Sequence, residues 1–296
     1  MDWRSDRRLQ VRMLLALALT LGGYAALLAV IFALFSTAGT LIVLGLLAVF
    51  LVVSVSQADR IAYLATTAVA VDREKYPTLY EIVERLARQA NMSTPPIAVI
   101  PTDEPNALSA GTGDRTVICV TTGLLNALDG DELEAVLAHE LAHLKNNDSS
   151  VMTVAGFPTV VSGIALSVAG RTLRSSSFIY FGIGALWMAL YLVFVALPVY
   201  LASLPGTLVL SRYREYAADR GAVAITGDPV ALANALATLH DAPTPPDTDL
   251  RQVASFNAFC IVPTNTLLPQ VATHPPADRR IRRLRELMTE VENPEL

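Results

Sequence analysis

The chain has 296 residues, 53% of them hydrophobic and only 17% charged, a balance displaced well away from that of a soluble domain toward apolar. Its formal net charge of −5 gives no electrostatic reason to expect nucleic acid as a partner. Its two cysteines, Cys119 and Cys260, fit a reducing compartment rather than a disulfide framework.

From Met13 to Ala58 no residue is charged, enough for two crossings of roughly 20 residues each, with Ser36-Thr37-Ala38-Gly39 as the turn between them. Arg4, Arg7, Arg8 and Arg12 precede this run, as they would in a secretory signal peptide. The apolar run continues through Phe35, however, beyond the about 7–15 residues of a signal core, and offers no A-x-A cleavage site, so a retained transmembrane hairpin is expected. The same arginines predict a cytoplasmic N-terminus.

A soluble unit follows. Pro77 to Met92 reads as a helix, with Pro77 in its first turn and Leu79, Ile82, Val83, Leu86 and Ala87 at helical spacing. Ile97 to Ile100 and Thr116 to Thr122 read as strands, the second preceded by the turn-prone Gly111-Thr112-Gly113-Asp114 and holding Cys119 as a small buried hydrophobe. Asp131, with Glu134 three residues later, predicts the capped start of a helix that reaches about Asn147.

That helix carries His139-Glu140-Leu141-Ala142-His143. Residues four apart share a helical face, so the two imidazoles can converge on one ion while Glu140 reaches a water beside it. This is the pattern of a zinc hydrolase, in which the base beside an open ligand position activates water. Two histidines leave the shell incomplete. Ser149 to Gly170 and Ser175 to Ser211 are two further apolar stretches; the second, interrupted by Pro198 and Pro205, exceeds what one crossing needs, so part of it is expected to leave the membrane or lie tilted. Directly after it, Glu215 offers a carboxylate ligand on another helix. Asp219, on the same face, can accept a hydrogen bond from a ligand histidine and fix its tautomer. Two spans between His143 and Glu215 place all of these residues on one side of the membrane. Arg60, Lys145, Arg212 and Arg214 then lie at cytoplasmic borders, with Arg171 and Arg174 dissenting on the outer side.

Toward the C-terminus, His240 reads as a helix-end cation, and Asp241 to Asp249, rich in proline and acid, as a loop or lid. Arg279, Arg280, Arg282, Arg283 and Arg285 form a basic run, either a solvated helix face opposite Ile281, Leu284, Met288 and Val291 or a contact for anionic headgroups.

Taken together, His139 to His143, the Ser-Arg-x-Arg-Glu-Tyr-Ala-Ala-Asp run from Ser211 to Asp219, and Thr273-His274-Pro275-Pro276 followed by Arg280-Ile281 resemble the HtpX-like membrane zinc metalloendopeptidases, relatives of the CAAX prenyl endopeptidases. The resemblance covers most of the chain. It implies one Zn2+ per subunit on His139, His143 and Glu215, with Glu140 as the catalytic base. By the same likeness His274 stabilises the oxyanion with help from Arg280, and Asn106 to Ala110 with the strand after it is an edge against which a substrate lies extended.

The expected fold is α+β, a mostly helical zincin-type core with a small sheet, plus four transmembrane helices. In this reading residues 1–58 and 149–210 are the two membrane hairpins, while 59–148 and 211–296 are the two parts of a cytoplasmic zincin domain. The expected activity is hydrolysis of misfolded or damaged membrane proteins at the cytoplasmic face, with the bilayer and unfolded protein chains as partners. A prenyl-peptide processing protease and a non-catalytic zinc-binding scaffold are the competing readings. Retention of Glu140 argues against the scaffold, because a structural site favours a closed four-ligand shell.

Overall fold

The computed structural model describes residues 7–174, 182–240 and 275–292. It is mostly helical with a small mixed sheet. The chain divides into two units, one formed by the described residues through 53 and by 152–211, the other by 54–151 and the described residues from 212 onward.

The first unit holds α1 (Arg7–Leu34) and α2 (Thr37–Ser56), together with most of α7 (Asp148–Arg174) and the apolar part of α8 (Ile183–Thr226). All four are long and apolar enough to cross a membrane. Leu21, Leu41, Ile42 and Leu46 leave more than half of their side-chain area exposed, as lipid-facing residues do and water-facing ones rarely do. Backbone polarity still has to be satisfied there. Pro158, inside α7, has no N–H to offer the carbonyl four residues back, and the Tyr24 hydroxyl of α1 donates to that carbonyl, on Val154, at 2.6 Å. Thr159 of α7 donates to Ser203 of α8 at 2.8 Å, a link between apolar helices that dispersion alone would not orient. At Gly206 a Cβ would stand 2.8 Å from the backbone N of Thr20, so α1 and α8 approach closely only because none is present.

The fourth apolar stretch is longer than one crossing needs, as its sequence indicates. Helix α8 continues without interruption for 44 residues, about 66 Å at 1.5 Å per residue, through both prolines and on past Asp219.

In the second unit, β1 (Val69–Ala70), β2 (Ile97–Ile100), β3 (Ala107–Thr112) and β4 (Arg115–Thr121) form a sheet of order β1-β2-β4-β3. β2 and β4 run parallel with Ile97 opposite Ile118, whereas β3 and β4 are antiparallel with Ser109 opposite Ile118. Strand β3 therefore forms one edge. Its two-residue link to β4 begins at Gly113, whose φ of 59° suits the tight turn that such hairpins use. Alternation sends Ile97, Val99, Ile118 and Val120 to one face, where α4 (Pro77–Gln89) and α6 (Gly130–Lys145) cover them with Leu86, Leu137 and Leu141. Ala98, Ile100, Leu108, Ala110, Val117 and Cys119 face the other way, against Ala62 of α3 (Ala58–Thr66). Cys119 is the buried hydrophobe its strand position predicts. Short α5 (Thr122–Ala127), α9 (Pro229–His240) and α10 (Ala277–Glu292) complete the unit, and Leu232 and Leu284 join the core around α6.

The cap of helix α6 lies two residues before the expected one. Asp129, not Asp131, is the N-cap: its backbone is extended and its carboxylate accepts from the Glu132 N–H at 2.9 Å, leaving Asp131 and Glu132 in the first turn beside the helix dipole. At the other end Asn147, with φ of 54°, separates α6 from α7.

Candidate active site

Burial is the first property of the motif helix: His139, Glu140 and His143 are each at most 5% exposed. The helix reaches them with Ala138, Leu141 and Ala142 also inside, so the polar triplet sits in the wall of the core rather than on a solvated face. Opposite stands α8, whose Gly221 lies so near Ala142 that an added Cβ would stand 2.7 Å from the Ala142 side chain. This close approach brings Glu215 and Asp219 to the histidines.

The Nε2 atoms of His139 and His143 lie 3.1 Å apart. Glu215, fully buried, places Oε2 3.6 Å from His139 Nε2 and Oε1 3.5 Å from His143 Nε2. One donor atom from each of the three residues falls within 4.8 Å of the others. Each imidazole is anchored on its far side. His143 Nδ1 is 2.6 Å from Asp148 Oδ2, and His139 Nδ1 is 3.0 Å from Asp219 Oδ1. An ionised carboxylate can only accept, so Nδ1 carries the proton in each neutral ring and the two Nε2 lone pairs turn toward the same point as the Glu215 carboxylate.

Two guanidiniums border the cluster. Arg280 forks onto Asp219, Nε to Oδ2 at 2.9 Å and Nη2 to Oδ1 at 2.5 Å, and its Nη1 lies 3.3 Å from Glu215. Arg214 stands 3.6 Å from Glu215 and 3.9 Å from Asp148. Burial disfavours a charged Asp219, but Arg280, by charge and hydrogen bonds, and His139 outweigh it and hold the carboxyl at about 2. Burial likewise opposes protonation of His143, yet its hydrogen bonds to Asp148 and Glu215 carry its pKa above the ordinary imidazole value.

The donor set fits a dication. Counted formally, Glu140, Asp148, Glu215 and Asp219 against Arg214 and Arg280 leave −2 in a buried volume, and two imidazole lone pairs and a carboxylate converge where a cation would relieve their repulsion.

The family model for peptidase family M48 matches residues 73–288, a span that contains all of these groups. The chain belongs to peptidase family M48. It is 39% identical over 302 residues to Protease HtpX homolog 1 of Streptomyces coelicolor, covering 98% of this chain and 96% of that protein. It is also 38% identical over 303 residues to the Protease HtpX homolog of Moorella thermoacetica, with 97% of each covered. In fold it resembles the crystal structure of S. mikatae Ste24p at a TM-score of 0.52 and 20% identity, spanning 93% of this chain and 65% of that one. This M48 member is therefore an HtpX-like membrane metallopeptidase that acts on peptide or protein substrates, and its family implies a metal.

Of the site residues expected from sequence, His139, Glu140, His143, Glu215 and Asp219 lie together, and His274 lies outside the described residues. Sequence reasoning passed over Asp148, although an acid five residues after the second histidine, just past a helix break, was a usable signal. Arg280 does not belong to a solvated face. It is buried on Asp219, whereas its neighbour Arg283, though exposed, rests its guanidinium 4.2 Å from the Tyr216 ring centre. Arg214, expected at a membrane border, has a side chain nine-tenths buried beside Glu215.

Proposed function

We propose that this peptidase cleaves misfolded or damaged membrane proteins on the cytoplasmic side of the bilayer, using one zinc ion held by His139, His143 and Glu215, with Glu140 as general base. The observation that carries this reading is the convergence of three ligand atoms within 4.8 Å on the face of α6 that also bears Glu140. When bound, zinc supplies the Lewis acidity that polarises the scissile carbonyl and acidifies the attacking water.

The chain's own residues do the rest. Glu140 takes a proton from the water as its oxygen bonds to the carbonyl carbon, then delivers that proton to the amide nitrogen as the C–N bond breaks. No covalent enzyme intermediate is needed. Asp148 and Asp219 hold the two imidazoles in the tautomer that directs Nε2 inward. A substrate lies extended along the edge strand β3 and pairs through its backbone, a mode that reads main chain rather than side-chain identity. By likeness to the HtpX family, His274 donates to the oxyanion.

For topology, residues 1–58 and 149–210 are taken as two transmembrane hairpins flanking the halves of one peptidase domain, 59–148 and 211–296. An even number of spans between His143 and Glu215 is what a shared site requires. The N-terminal arginines, Arg60, Lys145 and Arg212 favour the cytoplasmic face over Arg171 and Arg174.

The test is cleavage of an unfolded protein by detergent-purified wild type and Glu140→Ala, with bound zinc quantified in both. The expected result is equal zinc and a loss of at least about a hundredfold in rate for the variant. Equal zinc with equal rates would remove Glu140 as the base, and zinc-loaded wild type that cuts nothing unfolded would favour a processing enzyme or a scaffold.

A further inference from the structure

Strand β3 does more than present an edge. Its residues alternate, with Leu108 and Ala110 buried against Val117 and Cys119, so Ser109 turns the opposite way, toward α6. There its hydroxyl donates to Glu140 Oε2 at 2.8 Å. Ser109, Glu140, His143 and Arg214 line one narrow cleft.

We propose that Ser109 is a positioning residue for the base: its hydroxyl fixes one Glu140 oxygen and so aims the other at the attacking water. The inference rests on the reading of Glu140 as general base. A carboxylate on a helix turns about its last torsion, a broad and roughly two-fold well, and a general base works only when an oxygen stands within hydrogen-bond reach of the proton it takes. A donor on a rigid strand removes that freedom more firmly than water can, because β3 is itself held by β4 through six registered residue pairs. The same strand that would receive the substrate backbone thus orients the base, and the placing of the scissile bond and of the proton acceptor is referred to one element. Ser109 thus acts through Glu140 rather than on the reacting atoms.

The experiment compares Ser109→Thr with Ser109→Val in the full-length, zinc-loaded protein. These side chains have nearly the same shape and differ in the hydroxyl, so any effect of branching on β3 cancels between them. Steady-state cleavage of a peptide substrate, bound zinc and thermal midpoint are read for both, with Glu140→Gln as reference. The expected result is Ser109→Thr near wild type and Ser109→Val lower in kcat by about tenfold, with KM, zinc content and midpoint equal for the pair within error. Equal kcat for the two variants would overturn the proposal. So would a difference confined to KM, which would make Ser109 a substrate contact, or one matched by lost zinc or a lower midpoint, which would make it structural. Failure of the underlying reading shows separately, as a Glu140→Gln enzyme that still cuts.

Discussion

Replacing Arg280 with methionine removes one half of a pair whose members are 7% and 4% exposed. Two short hydrogen bonds, at 2.9 and 2.5 Å, are lost from Asp219, which then keeps His139 while its charge stays buried. Breaking a buried pair in this way costs about 3–5 kcal/mol, because the remaining ion has lost its water and its cation. The measurement is urea denaturation of detergent-solubilised wild type and Arg280→Met with zinc removed by a chelator, since ligand binding shifts apparent stability. A second variant separates stability from metal binding. With Asp219→Leu added, the carboxylate that Arg280 forked onto is gone while Glu215 keeps Arg214, and stability should return to within about 2 kcal/mol of wild type. Zinc affinity should not return: His139 no longer has a partner for Nδ1, a loss that typically weakens a metal site about 10- to 100-fold. The reasoning fails if Arg280→Met lies within about 1 kcal/mol of wild type, or if the double variant is no more stable than the single one.

Asp148→Asn should weaken zinc binding by about 10- to 100-fold in a chelator competition while leaving all three ligands in place, because an amide cannot favour the inward-facing tautomer of His143 as a carboxylate does. Gly221→Ala should lower stability by about 1–3 kcal/mol and reduce zinc occupancy, as the new methyl meets the Ala142 side chain at 2.7 Å and pushes α8, with Glu215, away from α6; unchanged occupancy and melting would contradict the close approach. Burial, with a smaller contribution from the Glu140 charge, pushes the Cys119 thiol up to about 12, so in a Cys260→Ser background the folded protein should resist maleimide at pH 8 and react once unfolded in dodecyl sulfate.

The sequence by itself determined whatever depends on neighbours along the chain. Four apolar stretches announced four helices, because spanning a bilayer is a matter of length and hydropathy. The strand Thr116 to Thr122 was legible to within a residue at each end from its β-rich run. The two histidines of the motif were legible because four residues make about one helical turn. Local rules still left choices open. Both Asp129 and Asp131 are able caps, and the extended backbone at Asp129 selected it. The apolar stretch before Glu215 was too long for one crossing, but apolar content sets where a helix meets lipid, not where its hydrogen bonds end, and only the structure showed α8 running on through Thr226.

Only the tertiary structure decided the partners of the charged groups. Arg280 and Asp219 are 61 residues apart, and Ser109 and Glu140 31 apart. No periodicity connects such pairs. A side chain in a basic run remains solvated unless packing offers it a buried carboxylate, and for one arginine of that run the docking of α10 on α8 does so. The candidate ligand atoms follow the same logic: sequence named residues able to bind a metal, while the distance between α6 and α8, set by the missing Cβ at Gly221, decided that they meet.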